Sequence, residues 1–361
     1  MQFRLGPHIG VLPPCRAQIN ALRALALSGV LLVHFGKDDP AAELLRVSLF
    51  FVLAGFMITH ALFRTRVRSG PVSPWAFWIR RALRLMPALV LLGLLGWLFD
   101  IDGFRQRIWW HILPLSNIAF ATSGEVRPLI AGHLWSISLL MQVYLVWALV
   151  VLRAPLPWLY LTAAIGWVLM VFLRVNAARI GIPEAVVWPI LSADPVFLGA
   201  MAYLLCQSRR FALAARTAPV LALALLVLAL PLVLWEGFGR SESYRLLMQP
   251  ALAALTIGAF FGYGGPVGRI LESRPVQWLG QISYGVFVYH LLIYWAVDEM
   301  APDLAGRAPV VHGLFLLALT VIAAGLSWLL IERPVVGLKR HVPTGGRADG
   351  PGAPVPPQEQ R

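Results

Sequence analysis

Charge is scarce in this chain. Asp, Glu, Lys and Arg make up 13% of its 361 residues, about half of what a soluble domain carries. That argues against an ordinary water-soluble globule. Cysteine is scarcer still, with only Cys15 and Cys206. Both fall where the topology below places the cytoplasm, so no disulfide framework follows and no metal-ligand cluster is expected. Acids are the minority charge, 17 against 30 Lys and Arg. Neither Ser-His-Asp nor paired-carboxylate chemistry is signalled by spacing. No internal repeat stands out, and no segment outside the apolar runs is long enough to fold alone.

What the chain has in quantity is hydrophobic residues, 59% of the total. They fall in repeated runs of about 17 or more, the mark of a polytopic helical membrane protein. Backbone groups in lipid must be satisfied within each segment, which selects helices over open strands. We read an all-α bundle of about ten spans: 19–35, 44–63, 82–99, 133–152, 157–173, 189–206, 217–235, 246–264, 280–300 and 309–332. Prolines interrupt the fifth and sixth. Residues 1–18 form a cytoplasmic segment, 19–336 the membrane domain, and 337–361 a Pro/Gly-rich tail of disordered composition. The first span lacks a convincing cleavage site and is expected to be retained.

The net charge of +13 invites a nucleic-acid reading. Its distribution argues against one. With the N-terminus inside and the spans alternating, nineteen Lys and Arg lie inside and ten outside, while twelve acids lie outside and four inside. This positive-inside bias predicts cytoplasmic termini and a multi-pass membrane protein, with the bacterial cytoplasmic membrane as the expected location.

The first span, INALRALALSGVLLVHF, holds Arg23 and His34. Such groups are expensive at membrane depth and point to function. Eleven steps of 100° give three turns plus roughly 20°, so the two side chains share one helix face, about 16 Å apart along the axis. Plainer readings exist for each alone: Arg23 could snorkel to headgroups, and His34 could bond a neighbouring carbonyl. Together they suggest a site for an extended anionic molecule.

Other candidates follow. Arg80, Arg81 and Arg84 open the third span, with Arg80 and Arg84 on one face. They could grip phosphates bidentately or simply anchor the helix. His133 and Trp135 open the fourth span, where an interfacial role is also ordinary. His290 lies near mid-membrane in the ninth, and Tyr284 shares that segment. His60 reads as structural. Glu332 is expected to pair with Arg333 or an inner arginine such as Arg81. Asp194 needs a partner that the sequence does not name. The apolar stretch Ile108–Ala121, with Trp109 and Trp110, is expected to lie along the interface.

In order, these segments resemble the acyltransferase-3 family of integral membrane acyltransferases. The specific element is Arg, ten residues, then His in NALRALALSGVLLVH. Supporting it are SLFFVLAGFMIT (48–59), FWIRRALRLMP (77–87), GHLWSISLLMQVYLVW (132–147), RPVQWLGQISYGVFVYHLLI (274–293) and IERP (331–334). The resemblance implies transfer of an acyl group, often acetyl, from acyl-CoA to a hydroxyl of a glycan, a lipid-linked sugar or a small molecule such as a macrolide. It implies a catalytic His34 and donor binding by Arg23, Arg80, Arg81 and Arg84. His133, Trp135, Tyr284 and His290 are candidates for active-site support. No permanently bound cofactor and no metal are implied. The partners are the donor, the acceptor and membrane lipids. A transporter or flippase of lipid-linked saccharide is the rival class.

The chain also departs from the family pattern. Ser48 stands where an acid is common, Ala54 where a serine is, Leu140-Met141-Gln142 where Glu-Glu-Gln is, and Ser192 where an arginine is. No esterase-like domain is expected after the membrane region in this sequence.

Overall fold

The computed structural model describes residues 16–35, 40–69, 73–177, 189–207, 217–236 and 242–342. Cys15, most of the N-terminal segment and the tail from residue 343 lie outside the described residues. Among those described there is no strand. The longer helices are α1 (Arg16–Phe35), α2 (Pro40–Ser69) and α3 (Pro74–Leu98), then α4 (Phe104–Ile112) and α5 (Ser116–Ser123) between α3 and α6. They continue as α6 (Leu134–Arg153), α7 (Leu156–Val175), the single turn α8 (Pro189–Ser192), and α9 (Asp194–Leu205). The remainder are α10 (Ala218–Glu236), α11 (Glu242–Phe261), α12 (Gly265–Leu271), α13 (Arg274–Met300), α14 (Leu304–Arg307), α15 (Pro309–Ser327) and α16 (Arg333–Gly337).

Six described helical stretches are long and apolar enough to cross a membrane: Arg16–Phe35, Leu45–Val67, Pro74–Leu98, Leu134–Arg153, Leu156–Val175 and Pro309–His341. A bent pair, Arg245–Phe261 and Gly265–Leu271, makes up to seven if it counts as one span. The protein is therefore a multi-pass integral membrane protein. The expected count of ten is not reached on these grounds. The stretch at 189–206 is broken at Ala193 into α8 and the short α9. The stretch at 280–300 belongs to a longer helix whose ends carry Arg274, Asp298 and Glu299.

α1 is the central strut. It packs on α2 along one side and α13 along the other, while α2 also packs on α9 and α13 on α15. Small residues allow the close crossings, as expected where lipid gives apolar faces no preference for each other. A Cβ on Gly55 would stand 1.9 Å from the Val196 carbonyl oxygen, and one on Gly199 would stand 2.1 Å from that of Val52. These two glycines bring α2 and α9 into backbone contact.

The break between α11 and α12 bends the chain by 87°. Gly262 and Gly265 make it possible, with φ of +94° and +64°. Breaking a helix frees backbone groups that must find partners within the protein. Gln18 of α1, 1% exposed, supplies them. Its Oε1 accepts from the Tyr263 amide at 2.6 Å, and its Nε2 donates to the Tyr263 carbonyl at 2.9 Å and to Glu272 at 2.8 Å. Gln18→Leu should cost about 1–3 kcal/mol for each group left without a partner. Thermal unfolding in detergent measures this, and an unchanged melting temperature would remove Gln18 from its role at the bend.

Candidate active site

α13 runs beside α1 in the same direction. Asn20 meets Gly280, Arg23 meets Ser283, and His34 meets His290, in that order along both helices. The first contact sets the others. A Cβ at Gly280 would lie 2.4 Å from the Asn20 carbonyl oxygen, so a larger residue would push the helices apart. Just above it, Arg23 Nη2 donates to Ser283 Oγ at 3.0 Å, and Ser283 Oγ donates to the Gly280 carbonyl at 2.9 Å.

At the other end three imidazoles gather from three helices. The His34 and His290 ring centroids are 4.9 Å apart, and those of His133 and His290 are 4.7 Å apart. His133 and His290 are 5% and 0% exposed. His290 Nδ1 donates to the Phe287 carbonyl at 2.7 Å. That contact fixes its tautomer, because a carbonyl can only accept. The Nε2 lone pair is left open in a neutral ring. Arg46 of α2 completes the group: its Nη2 donates to His34 Nε2 at 3.2 Å. Among the described residues no three His, Cys, Asp or Glu side chains are arranged to hold a metal ion.

Two cavities meet at this site. The outer one, about 600 Å³, is lined by Arg23, His34, Arg46, His133 and Trp135, with Tyr294, Trp295, Asp298 and Glu299 toward the end of α13. The inner one, about 310 Å³, is lined by Arg23, Arg81, Arg84, Tyr144 and Tyr284. Arg23, Phe50 and Phe287 belong to both walls. The outer cavity lies within the size range of small-molecule sites, about 300–1,000 Å³. Most of its lining is apolar, with a few convergent polar groups.

Of the inner arginines, Arg81 and Arg84 face the cavity. Arg81 donates to the Tyr144 hydroxyl at 3.0 Å, with its guanidinium 4.5 Å from that ring's centroid. Arg84 pairs with Glu332 at 3.3 Å and lies over the Trp328 ring at 4.6 Å. Arg80 goes elsewhere and donates to the Val342 carbonyl at 2.6 Å. The Arg80/Arg84 face drawn from spacing is thus replaced in the cavity wall by Arg81 and Arg84. The partner of Glu332 is Arg84, not Arg333 or Arg81. A π-helical turn, Trp328–Glu332, precedes Pro334 and presents Glu332 there. Tyr284 lines the inner cavity and donates to the Leu85 carbonyl at 2.8 Å. Trp135 lines the outer cavity and meets Phe51 edge-on. His60 packs edge-on between Tyr203 and Phe260, a structural position.

Some residues at the site escaped the sequence reading. Arg46, at the start of the second expected span, is not singled out by sequence alone. A signal existed: α1 ends at Phe35 and α2 begins at Pro40, so His34 and Arg46 lie only twelve residues apart on successive helices. Ser283 gave no signal, since its partner is 260 residues away. Asp298 and Glu299, at the end of the ninth expected span, carried no assigned role.

Asp194 finds its partners away from the cavities. Arg174 of α7 donates to its carboxylate, and Gln249 of α11 donates to the other oxygen at 2.6 Å. Trp167 donates to Gln249 at 3.3 Å. Asp194 is 0% exposed.

Among the described residues, then, an all-helical membrane bundle holds buried arginines and histidines along the walls of two adjacent cavities. Residues 16–331 match the acyltransferase-3 family model, described as an acyltransferase domain. The chain belongs to that family. It is 25% identical to the peptidoglycan O-acetyltransferase OatA of Listeria monocytogenes, over 88% of this chain and 55% of that protein. It is 23% identical to the O-acetyltransferase OatA of Staphylococcus aureus, over 88% of this chain and 56% of that protein. The chain thus spans little more than half the length of these relatives. No solved structure matches it.

The Asp194 network allows a clean test. Arg174→Met alone strands a buried carboxylate and should destabilise by about 3–5 kcal/mol, whereas adding Asp194→Leu should recover most of that. Chemical or thermal unfolding of both variants measures it. Equal losses in the single and double variants would mean the pair is not coupled.

Proposed function

We propose that this protein moves an acetyl or related acyl group from a coenzyme A thioester to a hydroxyl of a glycan or glycosylated acceptor. The observation that carries this reading is the pair of cavities joined at Arg23, with arginines at one end and His34 at the other. Guanidiniums stay charged and hold phosphates with two bonds. Arg81 and Arg84 would take the donor's phosphates, and Arg23 the turn between cavities. An extended pantetheine arm would then follow α1 for about 16 Å and bring the thioester to His34. His34 acts as general base on the acceptor hydroxyl. His290 is a positioning residue behind it. The aromatic rings of Tyr294 and Trp295, with the carboxylates of Asp298 and Glu299, suit a hydroxyl-rich sugar at the mouth. The relatives' names point the same way, toward a glycan acceptor.

The reading comes with a topology. We infer about ten crossings, both termini cytoplasmic, in a bacterial cytoplasmic membrane. Two observations support it: the inside excess of Lys and Arg, and the parallel course of α1 and α13, which fits the first and ninth spans. A fluorescent protein that folds only in the cytoplasm, fused to the C-terminus, should be bright. A dark fusion with full expression would overturn the assignment.

Purified protein with labelled acetyl-CoA and a saccharide acceptor tests the chemistry. His34→Ala should lower kcat by about 10²–10⁴, the range of a lost general base. The Arg81→Ala, Arg84→Ala double variant should raise the donor KM with a smaller change in kcat. Full transfer by the His34 variant, or unchanged donor kinetics in the arginine variant, would refute the corresponding role.

A further inference from the structure

Arg46 lines the outer cavity and is only 6% exposed. Its place is set by α1, where a Cβ on Gly29 would lie 3.1 Å from Arg46 Cβ. The 3.2 Å contact with His34 has only one possible sense. A guanidinium has donors and no acceptor, so His34 Nε2 must accept. Nδ1 then carries the proton of the neutral ring, and its one lone pair is occupied by Arg46. A base in that state cannot take a proton from an incoming hydroxyl. The contact has to open before the reaction.

We propose that Arg46 is a catalytic residue that exchanges partners, leaving His34 Nε2 and donating to the thioester carbonyl oxygen as charge develops there. The proposal rests on the acyl-transfer reading above. The acceptor hydroxyl oxygen forms a bond to the carbonyl carbon while its proton passes to His34 Nε2. The carbonyl π pair moves onto oxygen, and the Arg46 guanidinium balances the oxyanion. When the carbonyl re-forms, the carbon–sulfur bond breaks, and the departing thiolate takes the proton from His34. The products are an ester and a free thiol. His34 is neutral again, and Nε2 is free to accept from Arg46.

The exchange has a built-in direction. Once Nε2 is protonated it becomes a donor and can no longer accept, and two adjacent cations repel. The oxyanion is then the favoured acceptor for Arg46. A fixed cation aimed at developing charge in a water-poor site is among the larger contributions an enzyme can make.

Three variants of the full chain separate this role from simple support of His34. Arg46→Lys keeps a cation and a donor. Arg46→Gln keeps a donor but no charge. Arg46→Ala keeps neither. The Gln and Ala variants should lose about 10²–10³ in kcat, the usual cost of removing an oxyanion partner, with donor KM changed less than about threefold. The Lys variant should recover about tenfold or more of that loss. If Gln matches Lys, or keeps wild-type kcat, Arg46 only holds His34 and the proposal falls. Should the Gln variant melt early, Arg46→Gly is assayed with added guanidinium ion against urea, its neutral analogue. Rescue by guanidinium alone supports the proposal, and equal response to both overturns it. Wild-type protein that transfers nothing from acetyl-CoA would sink the acyl-transfer reading itself, a result distinguishable from unaffected Arg46 variants.

Discussion

The close, parallel contact of α1 with α13 is the constraint on which the site depends. Lipid tails are as apolar as leucine, so two spans gain little merely by hiding apolar faces from lipid. They need close approach and polar contacts, and this pair has both. Gly280 admits the Asn20 carbonyl, and the next turn places Arg23 against Ser283. From there the α1 face leads directly to His34 beside His290. The cavities lie along that seam. Their shared wall at Arg23, Phe50 and Phe287 draws one residue from each of α1, α2 and α13.

The same solvent explains how the remaining polar groups are arranged. An unpaired group in hydrocarbon is costly, and several buried polar side chains around the site have found specific partners, while His290 Nε2 has none among the described residues. Gln18 completes the bend at Tyr263. Glu332 balances Arg84 and accepts from Ser327, which also meets the Tyr289 hydroxyl. Between α3 and α6, Asp102 takes Arg127 and the Leu129 amide, fixing the chain that walls the larger cavity at Leu129 and Ile130. Position at the site is therefore held by hydrogen bonds spread over several helices, not by the site residues alone.

Much of the bundle was legible because its signals are local. A run of apolar residues needs no partner to read as a span, and a 100° step alone put Arg23 and His34 on one face. What spacing could not supply was the azimuth of each helix against its neighbours. Arg80, Arg81 and Arg84 are equally basic in sequence, yet only Arg81 and Arg84 turn to the cavity, because α3 presents Arg80 toward Val342. The break at Ala193 was marked only by Asp194-Pro195. Ser283 was invisible for the same reason, since it matters through a contact with a helix 260 residues away, while Arg46 left only the weak signal of lying twelve residues from His34. The family resemblance found His34 and Arg23 but said nothing of Arg46, which lies just before the quoted SLFF segment.

The departures from the family pattern take on physical meaning in this setting. Ser192 stands where an arginine is common, and that loss by itself would leave Asp194 buried and unbalanced. Here a guanidinium arrives from α7 instead, as Arg174. Gln142, the member retained from the Glu-Glu-Gln pattern, forms a reciprocal amide pair with Asn117 and also reaches the Pro114 carbonyl. It ties α5 to α6. Ser48 replaces an acid, and two residues earlier Arg46 meets His34. A chain losing function by drift would be expected to accumulate stranded charges, since each partner would be lost separately. The Asp194 and Glu332 charges are instead matched to cations. The altered carboxylates thus leave neither Asp194 nor Glu332 stranded, and a cation, Arg46, contacts His34.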